Sequence, residues 1–246
     1  MGHGGETGRV RRGAPQPLRV LAAKSIIVGL LAVLAMFPFE GTASGAKPNG
    51  APQLAKAKKS LLVLADMPKG WTSSKASNSN SPFPGAAQLA SCIGVPTSVI
   101  TYNAPSVSSP DFDSKDQLLS VGDSVQVYRS SKAAQADFLS LANAKTPSCM
   151  TEDLNGPGRA EFDAQMGGGI GTVTVTRTPA SDYAPHSTNF TMFLPVTTEG
   201  VTINVELILV DYVKGREEQT VVLSAFQSTF PTSLARHLTM VADGRI

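Results

Sequence analysis

The sequence predicts an α+β domain, an antiparallel β-meander of about four to six strands with helices packed on one or both faces. Three observations carry this. Phe190, Met192, Leu194 and Val196 recur at every second position, and Val201, Ile203, Val205, Leu207 and Leu209 do so over a longer span, which is the period of strands. The links between these runs are short, with Glu199-Gly200 and Lys214-Gly215-Arg216 as turns, so neighbouring strands run antiparallel. Pro231 opens a helix in which Leu234, Leu238, Val241 and Ala242 form one apolar stripe, suited to pack on a sheet.

The chain begins with Arg9, Arg11, Arg12, Arg19 and Lys24, followed by the uncharged run Ser25 to Phe39 and the small residues Gly41 to Ala46. That order reads as an export signal over residues 1–46, with Ser44 and Ala46 offering a cut after Ala46. The run is shorter than the ~20 residues needed to span a bilayer as a helix, which favours cleavage. The alternative is an uncleaved signal-anchor whose helix reaches back through Leu18, Val20 and Leu21, with Lys24 snorkelling. Either way the remainder is expected outside the cytoplasm, secreted or in the cell envelope.

Residues 47–58, rich in Ala, Lys, Pro and Gly, read as a flexible linker, and residues 59–246 as a single globular domain. Leu61, Leu62 and Leu64 form an apolar segment stopped at Pro68 and Gly70, with the sole tryptophan, Trp71, as a packing anchor. Ser73 to Gly85 reads as a loop, and Ala86 to Cys92 as two helical turns. Pro96 to Asp116, with Pro105 and Pro110, reads as a second loop across the surface. Ser124 to Tyr128 alternates as a strand, and Ser130 or Ser131 caps a helix striped by Ala134, Phe138, Leu141 and Ala142 that ends at Pro147. Thr172 to Thr176 is the first strand of the meander and Gln219 to Phe226 the last.

The chain has 246 residues and a net charge of +2. The first 46 residues hold 5 Lys/Arg and 2 Asp/Glu, leaving 16 and 17 for the rest. The exported part is therefore nearly neutral, without the basic footprint that nucleic-acid binding needs. Its two cysteines, Cys92 and Cys149, read as a disulfide in an oxidising compartment, closing a loop worth about 4 kcal/mol in the chain-entropy model. Two buried free thiols are the alternative. Metal binding by this pair lacks partners, since the exported part has only His186 and His237.

The Leu-Ala-Asp-Met-Pro-Lys-Gly-Trp sequence at Leu64 to Trp71, the Ala-Ser-Cys-Ile-Gly block at Ala90 to Gly94 and the strand-to-helix unit Val125 to Ala144 give the chain a family likeness. It resembles exported domains common in actinobacteria, the PknH-type extracellular sensor domain and, more distantly, LpqN-type and PsbP/Mog1-like α/β sandwiches. The resemblance implies a non-enzymatic sensing or binding module of the envelope. The sequence departs from the kinase-sensor pattern, which is similar to a two-disulfide domain, in carrying one cysteine pair and no attached kinase domain.

No catalytic, cofactor or metal motif emerges. Gly167 to Gly171 leads into a strand rather than a helix and lacks the P-loop Lys-Ser/Thr, so it reads as a bulged strand start. His186, near Asp182, has no Gly-x-Ser-x-Gly partner and reads as a loop residue, and His237 as a helix-surface residue. Asp111, Asp113 and Asp116 lack the glycine and terminal glutamate of a calcium loop. Glu217-Glu218 reads as the polar tip of a hairpin. The expectation is a non-catalytic module that recognises a small apolar ligand, a wall component or an envelope protein, with membrane contact only through an uncleaved N-terminal segment. The alternative is a secreted hydrolase with dispersed groups including His186.

Overall fold

The computed structural model describes residues 51–75, 85–100, 104–166, 169–179, 182–198 and 200–246. The signal-like segment and its cut after Ala46 lie outside the described residues. Among the latter, no helix is long and apolar enough to cross a membrane.

One antiparallel sheet of eight strands organises the chain. Its strands are β1 Thr72–Ser74, β2 Ser106–Ser108, β3 Asp111–Asp113, β4 Leu119–Val127, β5 Thr174–Arg177, β6 Thr188–Thr198, β7 Val201–Lys214 and β8 Glu217–Phe226. The order across the sheet is β1-β3-β4-β8-β7-β6-β5, and β2 also pairs with β4. The helices are α1 Ala51–Ser60, α2 Ala86–Ile93, α3 Thr97–Ile100, α4 Ser131–Leu141, α5 Thr146–Asn155, α6 Arg159–Met166 and α7 Thr232–Arg245. The α+β class and antiparallel meander are as the alternation requires.

The period of two divides β7 cleanly. Val205, Leu207 and Leu209 face a core shared with Leu89 of α2, Met150 of α5 and Phe162 of α6, whereas Ile208, Val210 and Tyr212 face Ala235, Leu238 and Ala242 of α7. Helices therefore cover both faces, making three layers. Burial on both sides explains why β7 and β8 read as near-continuous apolar runs over much of their length.

Several local expectations are corrected. Residues 51–58 are helical rather than a tether: α1 buries Ala57 against Val125 and Val127, and the acceptor that holds its exit is Asp123, 2.7 Å from the Leu62 amide. The stretch from Pro96 to Asp116 contains α3, β2 and β3, because its small polar residues alternate well enough to edge a sheet. Pro147 starts α5 near its first position rather than ending α4, since a missing N–H costs nothing there. Ser130 caps α4 as expected, its Oγ accepting from the Ala133 amide at 3.1 Å.

Candidate functional site

The α7 face of the sheet is apolar over most of its area, but the opposite face changes character along its length. Phe190, Met192, Leu207, Leu209, Val222 and Phe226 are buried hydrophobics there. Toward the β7–β8 turn the same side-chain parity brings in polar groups. Register places Thr188 beside Asp211, Asp211 beside Thr220, and Thr220 beside Ser124. The next row pairs Gln126 with Glu218. Helix α4 lies across this end and contributes Asp137, and Tyr128 follows β4.

Gln126, Asp137, Asp211, Glu218 and Thr220 line one side of a narrow cavity of about 40 Å³ whose other walls are Leu89, Ile100, Leu141, Met150, Phe190 and Leu209. Its size admits the order of one to three waters or a small chemical group, far below the several hundred Å³ of a drug-sized pocket. Cys92 and Cys149 are joined, tying α2 to α5, the two helices that supply Leu89 and Met150. Arg177 closes the β5 side: its guanidinium donates to Thr188 Oγ1 at 2.7 Å and to the Leu141 and Asn143 carbonyls at 2.9 and 2.8 Å, and it stacks 5.0 Å from the Phe190 ring centroid.

Three carboxyls in one dry region cannot all be ionised cheaply. Burial pushes Asp211 up to about 7, against a hydrogen bond from Thr220 and with help from the Asp137 charge; Thr220 Oγ1 donates to Asp211 Oδ1 at 2.6 Å. Burial pushes Asp137 up to about 6. Burial, then the Asp137 and Asp211 charges, hold Glu218 well above the ordinary carboxylate range. The Tyr128 hydroxyl donates toward Asp137 Oδ2 and lies 3.1 Å from Gln126 Oε1. A phenol has one proton for these acceptors and for Glu218, which also hydrogen-bonds Tyr128, and this favours a neutral Asp137 that donates back. Glu218 Oε2 is buried without a hydrogen-bond partner. Asp137 lines both the inner cavity and an outer groove that it shares with Tyr128, Ser98, Arg129, Ser130 and Lys132, so it stands between the inner cavity and the surface.

The residues singled out in the sequence mostly lie elsewhere. His186 is exposed in the β5–β6 connection at a positive φ of 65°; the neighbouring Ser187 hydroxyl donates to the Ala184 carbonyl, so no serine–histidine pair forms there. His237 is exposed on α7, and Trp71 packs against the α7-side core. Asp111 and Asp113 lie in β3, and Asp116 accepts from Ser114 Oγ at 2.6 Å and from the Leu118 amide at 3.1 Å, which places it in the turn between β3 and β4. In the glycine run, Gly167 and Gly168 fall outside the described residues. Gly169, with φ of 72°, would place a Cβ 2.1 Å from the Thr197 carbonyl oxygen, so it serves close backbone approach to β6. Among the described residues no group of three or more His, Cys, Asp or Glu side chains is placed to hold a metal ion. The three cavity carboxyls line a wall without converging on a point.

Glu217-Glu218 is the main correction. Both residues are buried, at 6% and 4% exposure, because the turn is so tight that Glu217 already pairs with Lys214 and Val127. Glu217 then meets Lys56, 2.8 Å away, and Glu218 points into the cavity. Asp211 and Gln126 were missed altogether. The signal for Asp211 was present: it continues the inward parity of Val205, Leu207 and Leu209, where a charged side chain has no solvent to face.

No protein-family model matches the chain, and no curated protein matches it. Among solved structures it is similar to the extracellular domain of PknH from Mycobacterium tuberculosis, with a TM-score of 0.40 and 10% identity over 82% of this chain and 98% of that one. A likeness of that degree carries no functional argument.

Proposed function

We propose that this chain is a non-catalytic binding or sensor-like module of the cell envelope, which takes a small, mostly apolar ligand bearing one hydrogen-bonding head into the cavity between α2, α4, α5 and the sheet. The observation that carries the reading is Glu218 Oε2, buried without a partner on the polar wall it shares with Gln126, Asp137, Asp211 and Thr220, facing the apolar walls Leu89, Leu141, Met150 and Phe190. A buried polar atom left unpaired costs about 1 to 3 kcal/mol, and a ligand head that meets it recovers that cost. The apolar walls take the ligand's body, and the cavity's size restricts that body to a short chain or small ring. An extracytoplasmic setting agrees with the signal-like N-terminus and with the disulfide.

Native mass spectrometry of the protein purified from its own host tests this, comparing the wild type with Leu141→Trp, which fills the cavity, and with Leu139→Trp at an exposed position on the same helix. The expected result is a low-mass adduct on the wild type and on Leu139→Trp that Leu141→Trp lacks. The reading fails if the wild type carries no adduct and no member of a panel of short-chain alcohols, amines and carboxylic acids raises its melting temperature.

A further inference from the structure

The sheet end that carries the β7–β8 turn is also the end at which the chain enters the domain. Gln53 and Lys56 of α1 share a groove with Lys214, Gly215 and Arg216 of that turn. Arg216 Nε donates to the Tyr128 carbonyl at 2.7 Å, which holds the turn beside Arg129 and Lys132. Cations from three separate elements thus gather at one end. Arg129, Lys132, Lys214 and Arg216 are exposed, and the Lys56 side chain is 69% exposed although paired with Glu217. The nearby carboxyls of Asp137, Glu217 and Glu218 are all buried, and Asp243 on the last turn of α7 is half-buried. The outward charge of this end is therefore positive, within an exported part that is nearly neutral.

Of the exposed acids, Asp116 and Glu161 lie toward the other end, and Glu152 is on α5, which bonds β5 through Thr151 and Val175. Asp116 sits in the β3–β4 turn next to Leu119, which pairs with Ala225, whereas Val127 at the basic end pairs with Glu217. The length of β4 separates the two by about 25 Å. Exposed Glu161 is on α6, whose Arg159 bonds the carbonyls of Ile170 and Gly171 near the β6–β7 turn, also away from the basic end.

Ahead of Ala51 the sequence carries the uncharged run Ser25 to Phe39 and then Glu40 to Gly50. Even fully extended, that spacer reaches only about 40 Å. In the uncleaved form, the signal-anchor alternative, the apolar run held in the bilayer keeps the domain within that distance, with the α1 end nearest the headgroups. We propose that this basic end docks on anionic phospholipid headgroups of the bilayer that takes up the Ser25 to Phe39 run. Each Lys or Arg near such a surface contributes about 1 kcal/mol, falling off over a Debye length of about 8 Å. Tethering turns docking into an intramolecular step, so even this modest attraction suffices. The inference is independent of what the inner cavity binds.

The test uses the full chain in lipid nanodiscs, with amine acetylation read residue by residue. The discs contain phosphatidylcholine alone or a mixture with phosphatidylglycerol. Docking predicts that phosphatidylglycerol slows acetylation of Lys56, Lys132 and Lys214 by about threefold or more, as about 1 kcal/mol per contact implies. High salt reverses the protection, and Lys115 in the β3–β4 turn is unaffected. In Lys132→Glu/Lys214→Glu the protection of Lys56 disappears. Equal acetylation in the two lipids overturns the proposal. So does equal protection by soluble polyphosphate added to phosphatidylcholine discs, which assigns the surface to a free polyanion.

Discussion

Replacing Asp211 by Asn isolates the cost of holding an ionisable group in the cavity wall. The side chain is buried, its pKa stands at about 7 against an ordinary 3.8, and burial is the principal cause. A shift of about 3 units at 1.36 kcal/mol per unit is worth about 4 kcal/mol. The sign follows from proton counting. Between the two pKa values the folded state binds more protons than the unfolded state, so stability is fully present below the ordinary carboxylate pKa and is lost as pH rises through about 7. Asn cannot ionise, yet its Oδ1 still accepts from Thr220 Oγ1, which donates to Asp211 Oδ1 at 2.6 Å in the native protein. Asp211→Asn is therefore expected to stabilise by about 4 kcal/mol at pH 8 and by less than about 2 kcal/mol at pH 5. Denaturant unfolding followed by circular dichroism at both pH values measures the two gains. Equal gains at the two pH values, or a loss at pH 8, would refute the argument that desolvation of the ionised form dominates at this position.

Reduction of the Cys92–Cys149 bridge, or the double change Cys92→Ser/Cys149→Ser, is expected to cost about 4 kcal/mol; the fall in denaturation midpoint measures it, and an unchanged midpoint would contradict the loop-closure account. Gly169→Ala places a methyl 2.1 Å from the Thr197 carbonyl oxygen at a φ of 72°, and it should loosen the pairing in which the Thr197 amide donates to the Gly169 carbonyl at 2.7 Å. A lowered melting temperature with faster amide exchange at Thr197 is the expected outcome, and unchanged exchange there would show that the backbones need not approach so closely.

The fold was legible wherever one physical constraint acted alone. β6, β7 and β8 are buried on at least one face, so alternation and tight turns identified them, and α4 and α7 declared themselves by stripe and start signal. The short strands β2 and β3 were not legible, because Ser106–Ser108 and Asp111–Asp113 carry only one apolar residue each and owe their conformation to the register that β4 offers. Helix α1 was hidden for a related reason. Its mean polarity is high, and what makes it part of the domain is Ala57 sitting on Val125 and Val127 and the Asp123 carboxylate bonding Leu62 just beyond it.

The cavity was illegible for the opposite reason: its residues obey the period of the sheet but violate its chemistry. Gln126, Glu218, Thr220 and Asp211 occupy inward positions that alternation reserves for apolar side chains, and adjacent charges such as Glu217-Glu218 are ordinarily read as solvent-facing. A rule that weighs parity above residue type finds them, since each lies an even number of residues from a buried neighbour: Asp211 from Leu209, Glu218 and Thr220 from Val222. Such violations are costly to stability and concentrate where a protein has work to do. Two carboxyls of the wall each contribute stability that is lost as pH rises, Asp211 through about 7 and Asp137 through about 6. A ligand head that hydrogen-bonds neutral Glu218 stabilises the protonated wall, and one that pairs with ionised Glu218 stabilises the ionised wall. The pH dependence of binding therefore identifies the chemistry of the head: affinity that falls as rising pH ionises the wall marks an acceptor, and affinity that rises marks a cation.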